Sequence, residues 1–192
     1  MVGMPNTKPP LDSAAAVRFQ VEEAARHGYA RVRPSACLTS GRDGKRPSPL
    51  EELAAAGAVA FTDDGSTVPD DDLFRDQMAR AAELDVVVMD HAQDPAAEQL
   101  GVMHDGRRSR ELGLPGIPSS AEEHIIERDI ALAAETGCRL HIQHVTSAAG
   151  IRAVARARRR GLPVTAEVTP HHLALCEDDI PGDDAHFKMN PP

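Results

Sequence analysis

The sequence is short of aromatic residues, with no Trp, one Tyr and four Phe. A core built from it has to be aliphatic. Cysteine is scarce too. Cys37, Cys138 and Cys176 are odd in number, far apart and form no Cys-x-x-Cys pair. That excludes a disulfide framework and leads us to expect a reducing, cytoplasmic setting. No run approaches the roughly 18 apolar residues of a membrane span. The opening "MVGMPNTKPP" has neither the basic start nor the apolar core of a signal peptide. It reads instead as the last residues of a strand. Positive charge is in deficit, with a formal net charge of −9, which argues against a nucleic-acid partner. The one basic run, "RARRRG" (156–161), is expected to close a helix, where the helix dipole favours cations. No glycine-rich phosphate fingerprint follows any predicted strand, which counts against a nucleotide-binding doubly wound sheet.

What is present is a regular alternation. Apolar spacing predicts helices over 16–28, 48–57, 71–84, 119–137 and 149–161. Ser13, Asp70 and two capping boxes, Ser48 with Glu51 and Ser120 with Glu123, mark their starts, and Gly28, Gly57 and Gly137 mark stops. Between them lie short β-branched runs: "VGM" (2–4), "YARVRPSAC" (29–37), "AVAFT" (58–62), "VVVMDH" (86–91), "RLHIQHV" (139–145) and "PVTAEVT" (163–169). Strands alternating with helices of this length mean βα units and a parallel sheet. We expect one domain over residues 1–192, with a long active-site loop at 92–118 that carries "LGLPGIP".

Polar residues gather where these strands end. Asn6 follows the first run, Asp63 and Asp64 the third, and His91 the fourth; His144 lies near the end of the fifth, and "PHH" (170–172) follows the sixth. In a parallel α/β barrel those ends form one face, and that face holds the active site. Asp-Gly is ordinary turn chemistry, and a lone histidine at a strand end is more often structural. Two His and an Asp at equivalent positions of three strands, however, make a zinc-type ligand set with room for a water. The metal would bring that water's pKa toward neutrality and polarise a carbonyl. His141 and His144 are three apart, so in a strand they face opposite ways. We assign His144 to the site and expect His141 to pack toward the helices or the core remote from substrate. His171 and His172 are expected to be structural or supporting residues, and His27, His104, His124 and His186 to lie on the surface or in loops.

At this point the residues match a family. The chain resembles the bacterial-type dihydroorotases of the amidohydrolase superfamily. The resemblance is carried by "GMPNTKPPLD" (3–12), "GAVAFTDDGSTV" (57–68), "VMDHAQD" (88–94), "LGLPGIPSSAE" (112–122), "HIQHVTS" (141–147), "VTAEVTPHHLAL" (164–175) and "KMNPP" (188–192), in the family's order. It implies a (β/α)8 TIM-type barrel of the metal-dependent hydrolase type, with Zn2+ at a two-metal site. By motif position, Asp64 corresponds to the carboxylate that bridges the metals, His91 and His144 to ligands of the second metal, and Asn6 and Asn190 to groups that hold substrate. Asp63 becomes a supporting partner. The implied reaction is reversible hydrolysis of the cyclic amide of dihydroorotate to N-carbamoyl-aspartate, in pyrimidine biosynthesis.

The sequence also departs from the family pattern. The His-x-His pair and arginine of the family's first strand, and the proton-shuttling aspartate of its eighth, have no counterpart between Met1 and Pro192. We therefore expect an incomplete barrel of about six of eight βα units. No catalytic residue is expected within it, and the 192-residue chain should be inactive by itself. "HAQD" (91–94) stands where many members have "HCED". Two other readings stay open. One is a hydantoinase- or allantoinase-like amidohydrolase, against which Asp64 in place of a carboxylated lysine argues. The other is a non-catalytic partner of aspartate transcarbamoylase. Homo-oligomerisation is also left open, and no membrane partner is expected.

Overall fold

A computed structural model describes residues 1–98 and 101–192. The chain runs through β1 (Val2–Gly3), α1 (Ala14–His27), β2 (Arg33–Ala36), α2 (Leu50–Ala55), β3 (Ala60–Phe61), α3 (Asp71–Glu83) and β4 (Val87–Asp90). It continues with α4 (Pro95–Glu98), β5 (Met103–His104), α5 (Arg107–Leu112), β6 (Gly116–Ile117), α6 (Ser120–Thr136), β7 (Leu140–Ile142), α7 (Ala148–Arg159), β8 (Val164–Ala166) and α8 (Pro170–Ala174). Six strands form one sheet in the order β1-β2-β3-β4-β7-β8, and every pairing is parallel. Strands that follow chain order through right-handed crossovers put all their helices on one face, as a singly wound barrel does. The helices here cover that one face.

Register and burial together define the two faces. Phe61, Val88, Leu140 and Val164 form one cross-strand row and pack into the helical core with Val17, Leu53, Phe74, Met78 and Ile126. The alternate row, Met89, His141 and Thr165, points to the other side, the inside of the arc. His141 therefore does not enter the helix layer. Its Nδ1 lies 2.8 Å from Thr165 Oγ1.

Some predicted helix starts hold and some do not. Ser13 accepts from the Ala16 amide and Asp70 from the Leu73 amide. The two capping boxes do not form. At α2 the N-cap is Pro49, with no side-chain cap, and Ser48 is buried with its hydroxyl unpartnered. At α6 the N-cap is Ser119, again without a side-chain bond. Near these starts lie tertiary contacts: Gln77 Nε2 donates to Ser48 O (3.3 Å), and Glu122, next to the predicted Glu123, binds the turn after β7. The left-handed stop at Gly137 (φ 71°) is as expected, and the arginine run closes α7.

The segment 92–118 is not a plain loop. It holds α4, α5 and the parallel pair β5–β6, an excursion from the main sheet; residues 99 and 100 within it lie outside the described residues. The chain after β8 docks on this excursion. Glu177 accepts from the backbone amides of Arg107 (3.2 Å) and Arg108 (3.4 Å), Arg107 pairs with Asp178, and Arg108 donates to Ile180 O and Pro181 O (both 2.8 Å). A Cβ at Gly106 would stand 2.0 Å from Glu177 Oε2, so a side chain there would displace the Glu177 carboxylate from its place over the amides. The three cysteines are free thiols. Among the described residues no helix is long and apolar enough to cross a membrane.

Candidate metal centre

The site is built where β3, β4 and β7 end. Along β3 the alternation continues past Phe61, so Thr62 and Asp64 face the inside of the arc while Asp63 faces away. Asp63 is buried and accepts from the Thr39 amide (3.1 Å) and the Thr39 hydroxyl. Burial pushes its carboxyl above the usual range, opposed by those hydrogen bonds. Arg42 donates to the carbonyl oxygens of Asp63 (3.3 Å) and Asp64, which fixes the turn from outside. Asp64 is thereby left free to face inward.

His91 directly follows β4 and is buried; its Nε2 lies 2.9 Å from Gln93 Oε1, which orients the ring. His144 comes two residues after β7 ends. Strict alternation would turn it toward the helices, but its φ is +33°, an uncommon backbone state for a residue with a Cβ. That turn brings the ring back inward. The His91 and His144 rings meet edge to face, with centroids 4.6 Å apart at 77°. Ligand atoms of Asp64, His91 and His144 all lie within 4.8 Å of one another. Among the described residues this is the one such cluster.

The electrostatics suit a cation. Burial, and then the neighbouring His91, push the His144 imidazole down to about 4, so it is neutral near pH 7. A histidine ligand has to be neutral. Its Nδ1 is buried with no hydrogen-bond partner, as expected of a nitrogen meant for a ligand. Beyond His144, the Glu122 carboxylate accepts from the amides of Thr146 and Ser147 (both 2.7 Å) and ties α6 to the turn.

Asn6 and Asn190 have different settings. Asn6, exposed after β1, donates its Nδ2 to Asp64 Oδ2 at 2.6 Å. Asn190 is exposed near the chain's end and, among the described residues, makes no hydrogen bond to the cluster. His172 is structural: its Nδ1 lies 2.9 Å from Thr169 Oγ1 and its Nε2 2.9 Å from Pro191 O, which pins the terminal segment. His104 is not a loop residue; it lies in β5. Sequence reasoning missed Thr39, Arg42, Glu122 and Gln143. Gln143, lying between two histidines, reads as a spacer, and nothing in composition or period marks the other three.

A model of the family described as "Dihydro-orotase-like" matches residues 1–149. The chain belongs to the dihydro-orotase-like family. Within it, the chain is 44% identical over 189 residues to a dihydroorotase of Syntrophobacter fumaroxidans, covering 98% of this chain and 43% of that protein. It is 46% identical over 189 residues to a dihydroorotase of Carboxydothermus hydrogenoformans, covering 98% and 44%. This dihydro-orotase-like chain thus spans less than half the length of these relatives. Among solved structures, L-hydantoinase from Arthrobacter aurescens superposes with a TM-score of 0.73 at 21% identity, over 93% of this chain and 41% of that one. D-hydantoinase from a Bacillus sp. gives 0.72 at 23%, over 96% and 42%. At such identity the likeness concerns the fold, and the fold is α/β, part of a TIM-type barrel.

Proposed function

We propose that the intact protein is a dihydroorotase, a zinc-dependent hydrolase that interconverts dihydroorotate and N-carbamoyl-aspartate in pyrimidine biosynthesis. The observation that carries this reading is the Asp64–His91–His144 cluster at the strand ends of a dihydro-orotase-like chain. One carboxylate and two imidazoles, with a buried unpartnered His144 nitrogen, fit a divalent cation of the zinc type. When bound, such a cation supplies Lewis acidity and a water that ionises near neutral pH.

The chain's own residues have definable tasks. Asp64 brings the negative charge that makes a cation at this site affordable, and the cation in turn compensates Asp64. His144 stays neutral because it is buried, and so keeps a lone pair for binding. Asn6 spends one amide N–H on Asp64, which leaves its second N–H and its carbonyl oxygen for substrate. Asn190 supplies the second amide to the substrate's carboxylate or ring amide.

The test has two arms. Titration of the chain with Zn2+ in a calorimeter is expected to show binding that Asp64→Asn weakens, because it removes the charged ligand. The intact protein is expected to hydrolyse dihydroorotate and to lose that activity on chelation, while a polypeptide limited to these 192 residues stays inactive with zinc added. Turnover of a hydantoin but not of dihydroorotate by the intact protein would sink the assignment.

A further inference from the structure

Gln143 touches the supports of all three cluster residues. It directly precedes His144 in the chain. Its backbone N–H donates to the carbonyl of Asp90, the residue before His91, at 3.0 Å. Its side-chain Nε2 donates to Asp64 Oδ1 at 3.2 Å. Gln143 is 4% exposed, so its bonds are made with protein rather than bulk water.

The amide also has a fixed sense. The Asp64 backbone N–H donates to Thr62 Oγ1 (3.0 Å), and Thr62 Oγ1 lies 3.2 Å from Gln143 Oε1. A hydroxyl has one proton to give. The Asp64 carboxylate only accepts, so it takes the Gln143 NH2, and Thr62 gives its proton to Gln143 Oε1 on the other side. The Gln143 NH2 then faces the Asp64 carboxylate. The reverse orientation would set the Gln143 carbonyl oxygen against a carboxylate oxygen, acceptor against acceptor. A closed ring results: Asp64 amide to Thr62, Thr62 to Gln143, Gln143 back to the Asp64 carboxylate. Asn6 holds the other carboxylate oxygen.

We propose that Gln143 is the positioning residue of the metal centre, with Thr62 setting its amide so that the Asp64 carboxylate is held at a fixed angle to His91 and His144. The inference rests on the metal reading given above. Gln143 touches no cation and no substrate; it acts through Asp64. Residues in this role commonly carry 10–100-fold in metal affinity.

The test is titration of the metal-free chain with Co2+, read by its visible d–d absorption, with far-UV circular dichroism as the control for folding. Gln143→Leu is expected to bind Co2+ 10–100-fold more weakly, with a changed d–d spectrum. Thr62→Val is expected to move both readouts in the same direction by less, and Thr62→Ser, which keeps the hydroxyl, to restore them. If Gln143→Leu does not fold, the Thr62 pair decides. Wild-type affinity and spectrum in folded Gln143→Leu, or in Thr62→Val where Gln143→Leu does not fold, overturn the positioning role and leave the metal site standing. Absence of Co2+ binding in every chain, wild type included, overturns the metal reading and this inference together.

Discussion

Asp63 and Asp64 are adjacent, carry the same charge and do different work. The pleat separates them. Asp63 is turned to Thr39 and closes a buried turn, and Asp64 is turned to the mouth of the arc. The same contrast of position governs the thiols. Cys37 and Cys138 are fully buried, and burial pushes them up to about 12 and about 11, whereas Cys176 is exposed. A raised thiol pKa means less thiolate at any given pH. Ellman titration of the folded chain at pH 8 is therefore expected to release one equivalent quickly, and three only after denaturation. Fast reaction of all three in the folded chain would contradict the buried core. At this scale the sequence was readable where polar residues follow strand ends, as at Asp64 and His91, which the structure brings together. It was less readable at His144. Alternation is a property of strands, and His144 lies past the strand at positive φ. Both His141 and His144 thus face inward, and the premise that only one could do so fails. Gln143 could not be recognised at all, since its role depends on Thr62, 81 positions away.

At the scale of elements, the helices are held to the sheet by more than aliphatic packing. Arg128 of α6 donates to Val68 O (2.9 Å) and Thr67 Oγ1 (2.7 Å), pairs with Asp129 (2.8 Å) and lies 5.0 Å from the Phe74 ring centroid in α3. Asp129 and Asp90 are both 0% exposed, and burial, then Asp129, push the Asp90 carboxyl well above its usual range. Removing the guanidinium leaves two acids in the core without a cation. Arg128→Ala is expected to cost about 3–5 kcal/mol in urea unfolding. A loss below about 1 kcal/mol would mean that the group behaves as a surface ion pair. Helices were legible because their periods are long enough to count, and the main strands because short apolar runs recur between them. The caps of α2 and α6 were not: Ser48 is buried and α2 starts from Pro49, while α6 starts one residue early, at Ser119, which puts Ser120 inside the helix. The excursion escaped for a different reason. Its two-residue strands carry no β-branched run like those of the main sheet, and its Gly and Pro content imitates a loop.

At the scale of the whole molecule, the sheet is an arc with two edges, β1 and β8. Val2 on one edge is exposed, as are Val168, Leu173 and Leu175 beyond the other. Unpaired edges and apolar margins are templates for association. A polypeptide of these 192 residues is expected to sediment with a mass that grows with concentration, and a single monomeric species up to high concentration would refute this. The parallel architecture was legible from the alternation of elements; the way the terminal segment folds onto the excursion was not, since it depends on pairs about 70 positions apart. That docking has a consequence for how such a protein changes over generations. The cluster residues stand on β3, β4 and β7, while the excursion and the segment that clamps it contribute none of them. Gly106, Arg107 and Glu177 meet one another directly, so substitutions among them are expected to couple. A change at one of these positions is thus expected to be tolerated in descendants only alongside a matching change at its partner, so the clamp is inherited as a set.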